Sequence, residues 1–144
     1  MITEQLSQAL SIAAAELDPV SQGVATVTSG GVDMSKFERV LFLLMVGSVG
    51  AAGTVDAKLQ ESATSGGTYT DIAGASITQI TASNKIATLE IKATQLSSGK
   101  TAVRLSLTVA VNAVLIAVLP IAGEAKQKPA SAQDVAAVVQ RKVV

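Results

Sequence analysis

Apolar and polar side chains alternate through residues 54–60. Val55, Ala57 and Leu59 fall between Thr54, Asp56, Lys58 and Gln60. A period of two belongs to a strand with one buried and one wet face. Residues 62–68 then collect Ser, Thr and the adjacent Gly66 and Gly67, which supply the backbone freedom of a tight hairpin turn. Tyr69, Thr70, Asp71 and Ile72 restart as the partner strand. Tyr69 and Ile72 lie an odd number apart and cannot share a face, so the pattern predicts a bulge or an early end there.

The same grammar recurs along the chain. Ala87, Leu89, Ile91 and Ala93 alternate with Thr88, Glu90 and Lys92, and Val103, Leu105, Leu107, Val109 and Val111 with Arg104, Ser106, Thr108 and Ala110. The β-branched run 24–28 and the short segment 77–80 read as further strands. Segments 39–47 and 114–119 are apolar on both faces. Such strands lie centrally or have their outer face covered, and with little helix predicted the expected cover is a neighbouring subunit. Between strands, Gly30 and Gly31 turn the chain, and 33–38 reads as one helical turn with Asp33 as its cap. Gly47, Gly50 and Gly53 punctuate a loop and 73–76 forms a turn. Residues 94–100 make a polar connection with Leu96 dipping inward, and Asn112 with Ala113 allows a two-residue turn.

Seven or eight short strands predict an all-β fold. It is an antiparallel β-sandwich, Ig-like or jelly-roll-like, or a small barrel. The sandwich is expected over 20–122, with 1–19 and 123–144 as extended or short helical terminal arms. Leu6, Leu10, Ala13 and Leu17 follow helical spacing up to Pro19, yet the same stretch suits an extended arm along a neighbour. Residues 123–130 read as a polar linker. Ser131 and Asp134 then mark a helix start, with Val135, Val138, Val139 and Lys142 on one side. Leu6, Leu10, Leu17, Val135, Val138 and Val139 have no expected partner inside the sandwich. With Leu41, Leu43, Leu115 and Leu119 of the two-sided strands they are the candidate contacts with other chains.

Composition sharpens this picture. The 144 residues suit one domain with terminal extensions. Apolar residues make up 49% of them, but with two Phe, one Tyr and no Trp the interior must be aliphatic. Aliphatic side chains bury less area each, so association would add stability. Eleven basic and eleven acidic residues cancel, without a Lys/Arg block, so no nucleic-acid or anionic-membrane partner is expected. The apolar runs 40–52 and 113–122 fall short of the ~20 residues of a spanning helix. No basic side chain precedes Lys36, so the start lacks the basic region of a signal peptide, and a soluble, unexported protein is expected.

Chemistry is sparse. The absence of His and Cys removes imidazole catalysis, disulfides and the common zinc sites. Asp33 with Glu38, or Asp56 with Glu61, are carboxylate pairs, but on alternating strands and turns they read as solvated outward residues. Gly66 and Gly67 lack the context of a phosphate loop. Tyr69 reads as a core or rim aromatic before a sugar platform, and Arg39 and Arg104 as surface or intersubunit pairing residues. No enzyme and no cofactor are expected.

Residues 32–78, with Gly-Thr-Val-Asp-Ala-Lys-Leu-Gln-Glu-Ser, a glycine-rich turn and aromatic-Thr-Asp-Ile, and the Arg-bearing strand 99–109 resemble tailed-bacteriophage head decoration, or cement, proteins of the small β-sandwich type. Tyr69 stands where such proteins often carry Trp. The resemblance covers about the middle half of the chain, rests on structural motifs and carries over no functional residue. It implies a virion protein, made in the bacterial host cytoplasm, that binds the outer surface of the capsid, often as a homotrimer. Its partners would be the major capsid protein and itself. A tail or neck component, or a carbohydrate-binding or adhesion module, are the competing expectations, since a sandwich alone does not decide function.

Overall fold

The computed structural model describes residues 4–13 and 16–143. Ten strands form two antiparallel sheets: β1 (Leu10–Ile12), β2 (Leu17–Gln22), β3 (Ala25–Thr28), β4 (Val32–Asp33), β5 (Phe37–Val49), β6 (Thr54–Ser62), β7 (Thr70–Ser76), β8 (Lys85–Lys92), β9 (Ala102–Ala110) and β10 (Val114–Ala125). One helical turn, α1 (Leu6–Ala9), precedes them. Two 3₁₀ turns, Ala93–Gln95 and Ala130–Gln133, complete the described elements.

Sheet A runs β1-β10-β5-β8, with β2 beside β1 along the same edge of β10. Sheet B runs β3-β9-β6-β7, with β4 beside β3 along β9. Taking β1/β2 and β3/β4 as single positions, the eight positions pair first with eighth, second with seventh, third with sixth and fourth with fifth. That nesting is a long two-chain ribbon rolled into a sandwich, the jelly-roll arrangement. The hairpin expected at 54–72 is the closed tip of the ribbon. Its bulge is present but lies further along: Gln60 faces Asp71 while Lys58 faces Ser76, so the ladder slips across 72–75. Gly74 takes the positive φ of +76° that this slip requires. Residues 73–76 are therefore strand, not turn.

The core lies between the sheets. Val40, Phe42, Leu44, Ile116 and Val118 of sheet A meet Val55, Leu59, Leu105, Leu107 and Val109 of sheet B, all at most 3% exposed. Both Phe37 and Phe42 are buried, so the interior is otherwise the aliphatic one that composition requires.

Several local expectations change. β9 and β10 belong to different sheets, so Val111, Asn112 and Ala113 form a crossing between sheets instead of a hairpin turn. Val111 leaves the alternating row, adopts φ +66° and is 68% exposed. The turn after Asp33 is only Met34–Lys36; Asp33 Oδ1 does accept from Ser35 N at 2.9 Å, but Phe37 and Glu38 already belong to β5. Residues 77–80 contribute one bridge, Val55 to Ile80.

The sheets also run past the expected limits of 20–122. β1 and β2 are true strands on β10, and β10 continues to Ala125 where a linker was expected. The C-terminal helix does not form; the chain makes one 3₁₀ turn and then runs irregularly. Residues 1–3, Ala14, Ala15 and Val144 of the expected arms lie outside the described residues. Among the described residues no helix is long and apolar enough to cross a membrane.

Candidate functional site

The two outer faces of the sandwich differ in chemistry. On sheet A, the residues of β5 that alternate with buried Val40, Phe42, Leu44 and Val46 are Leu41, Leu43 and Met45. Register sets them beside Ile121, Leu119 and Ala117 of β10, so three apolar rows cross the middle of the sheet. Met45 is 40% exposed, Leu115 46% and Ile86, which faces Met45 from β8, 69%. A shallow groove of about 420 Å³ runs between Pro19, Val20, Met45, Leu115 and Ala117. Leu41, Leu43, Leu115 and Leu119 thus share one surface. Sequence reasoning had missed Met45, Ile86, Ala117 and Ile121. The two-sided apolar pattern was the signal for Met45, but Ile86 joins only through the pairing of β8 with β5.

Sheet B is polar outside. Thr26 and Thr108 share a hydroxyl hydrogen bond of 2.8 Å, and Gln79 donates to Asp56 at 2.8 Å. Asp71 accepts from Lys58 at 2.6 Å and from Gln60 at 2.7 Å. These two hydrogen bonds, the Lys58 one first, hold its carboxyl below the usual carboxylate range. Arg104 donates to Gln60 at 2.9 Å and stacks 4.1 Å from the centre of the Tyr69 ring. Burial pushes the Tyr69 phenol up, against the pull of Arg104. Tyr69 Oη donates to Ser65 O and lies against Gly31, where any side chain would collide with it. Arg104 therefore occupies a ring face that a sugar would stack on.

The terminal candidates divide. Leu17 packs on the core, contrary to the expectation that it lacks an inward partner. Leu6 and Leu10 line an open groove of about 500 Å³ with Ile12, Ile121 and Val138. The C-terminal segment reaches this groove because Val135 N donates to Ile12 O at 2.8 Å and Ile12 N donates to Asp134 Oδ1 at 3.0 Å. Asp134 also pairs with Arg141. Val135 is half-buried at this junction and Val139 is 93% exposed. The termini thus fold against each other and against β10.

The carboxylates of the two candidate pairs are accounted for by local contacts. Glu38 pairs with Lys126, and Arg39 with Glu124. Glu61 departs from its expected outward position: it continues the inward row of Val55, Ala57 and Leu59, is 5% exposed, and accepts from Ser97 N at 2.9 Å. Among the described residues no three acidic groups gather where they could hold a metal ion.

No protein-family profile matches the chain, and no curated protein matches it. Among solved structures it is similar to a chain in the structure of infectious bursal disease virus Gt strain, at 11% identity and a TM-score of 0.44. The match covers 85% of this chain and 33% of that one, so this chain spans about a third of that length. A likeness of this size carries neither fold nor function across.

Proposed function

We propose that this chain is a virion structural protein that seats the apolar outer face of sheet A against a protein shell. In its finer form, the chain decorates the outside of a tailed-phage head and cements neighbouring copies of the major capsid protein. The observation that carries the reading is the contrast between the two faces. Met45, Leu115 and Ile86 stand exposed on sheet A, while sheet B closes its outer polar groups on one another. A contiguous apolar surface on a small protein marks an interaction site. The sequence resemblance agrees with it: Lys58, Gln60, Tyr69, Asp71 and Arg104, within the resembling segments, form the polar network that braces sheet B. Each contact on a shell can be weak, because repetition over a lattice multiplies it.

The test is co-sedimentation with undecorated heads. The wild-type chain should pellet with the shells. Met45→Glu and Leu115→Glu, which leave the core intact, should stay in the supernatant. Equal pelleting of the variants would remove the apolar face from the argument. Recovery with tails instead of heads would place the chain in the tail or neck.

A further inference from the structure

A two-sheet sandwich presents four sheet edges, and in this molecule three of them are blunted. At the β1/β2 edge of sheet A, the N–H and C=O of Ile12 are both taken, by Asp134 and Val135, and Pro19 interrupts β2. The β3/β4 edge of sheet B is two short pieces of four and two residues. At the β7 edge the ladder slips at Gly74. These are the ordinary ways of preventing one sheet from pairing with another.

The fourth edge, β8, has none of these breaks; its guards are the charges of Lys85, Glu90 and Lys92, which bear on the register a partner can take. All eight residues of Lys85–Lys92 pair one-to-one with Val46–Arg39 of β5, with no slip and no proline. Among the described residues, no hydrogen bond beyond those to β5 engages the backbone of 85–91. Every second N–H and C=O therefore points outward from a straight strand, which is a template for strand addition. Ile86 is the most exposed large apolar side chain on any strand of the molecule, at 69%, and it lies on this edge.

We infer that β8 is a pairing edge, and that its occupant is β8 of a second copy, antiparallel across a two-fold axis at Thr88. Overlap and charge together favour that register: centring on Ala87 also keeps like charges apart but sets only residues 85–89 opposite one another, against 85–91 for Thr88. Centred on Thr88, the outer face sets Thr88 against Thr88 and Ile86 against the stem of Glu90. The inner face sets Ala87 against Leu89 and Lys85 against Ile91. No charge meets its like. Moving the axis one step to Leu89 leaves Glu90 diagonal to its own copy, and a further step to Glu90 sets the two carboxylates face to face. A two-fold contact brings each residue to its own symmetry mate, and opposed like charges destabilise a strand pair. The contact joins two copies of sheet A into one continuous sheet. It uses an edge and leaves Met45 and Leu115 free, with Ile86 alone shared by both surfaces, so its test at Thr88 stands apart from that of the proposed function.

Thr88→Lys and Thr88→Glu each place like charges across the axis, and mixed together they place opposite ones. In sedimentation equilibrium, each variant alone should dimerise roughly ten-fold more weakly than wild type or worse, and the mixture should recover. The chain has no cysteine, so Thr88→Cys adds a single thiol. It should oxidise to a disulfide-linked dimer, while Ser98→Cys, on an exposed loop, stays monomeric. Thr88→Cys is nearly isosteric and keeps the test open if a charged variant misfolds. Cross-linking of Thr88→Cys no faster than Ser98→Cys, or unchanged association of Thr88→Lys, overturns the inference, as does a wild-type chain that stays monomeric at every concentration.

Discussion

Replacing Leu105 with Ala separates the inside of this sandwich from its outside. Leu105 is fully buried in β9, faces Leu59 across the ladder, and is held by two hydrogen bonds to Ser29, N to Oγ and O to N, each 2.9 Å. Truncation removes three methylene equivalents, worth about 2.4 kcal/mol at roughly 0.8 kcal/mol each. The backbone is tied on both sides, so the cavity cannot collapse, and its contribution brings the loss to about 3–5 kcal/mol. For a domain of this size that lowers Tm by roughly 10–15 °C. With no Trp, the assay is urea unfolding followed by far-UV circular dichroism, and the midpoint should fall at constant m. Leu119→Ala is the control: it changes the half-buried outer face of sheet A and should cost about 1 kcal/mol or less in the free subunit. A Leu105→Ala loss below about 1 kcal/mol, or one equalled by Leu119→Ala, would mean that the strand faces are assigned backwards.

Other outcomes follow from single contacts. Ser11 Oγ is buried without a hydrogen-bond partner among the described residues, so Ser11→Ala should raise stability by about 1 kcal/mol in the same urea assay. Asp71, held ionised by Lys58 and Gln60, should contribute stability above the ordinary Asp pKa and lose it as pH falls through its depressed value. NMR titration should show its midpoint rising in Lys58→Met. The single Tyr69 should ionise above the usual tyrosine value, read at 295 nm. Arg104→Gln should move that midpoint higher still, because the opposing charge is gone; a downward move refutes the stacking.

Alternation along β6, β8 and β9, and the two-sided character of β5 and β10, were legible because a strand records its faces in its own residues. Which strands pair was not legible. β10 lies between β2 and β5, and β9 between β3 and β6, so most partners are remote in sequence and no local period names them. Val111 continues an apolar alternation that the chain abandons at Ala110, since the crossing between sheets is set by Asn112 and the Gly50 loop, joined by Gly50 N to Ala113 O. Glu61 shows the reverse error: its inward parity was visible, and its charge outweighed it until Ser97 N supplied a partner. The apolar residues of the candidate face were visible one by one. Their assembly into rows required the register of β5 with β10 and β8.

The nested pairing also bears on how the chain is made. In each sheet an interior position is filled by one of the two strands latest in chain order among those described, β10 in sheet A and β9 in sheet B. Until β9 has emerged from the ribosome β3 has no neighbour in its sheet, and until β10 has emerged β2 has none and β5 offers apolar residues on both faces with only β8 beside it. The β6–β7 hairpin can form early, but sheet B waits for β9 and sheet A for β10. A nascent chain halted before Val114 would carry the sticky face of β5 bare, which makes the last dozen strand residues the step that renders the newly made protein safe from aggregation.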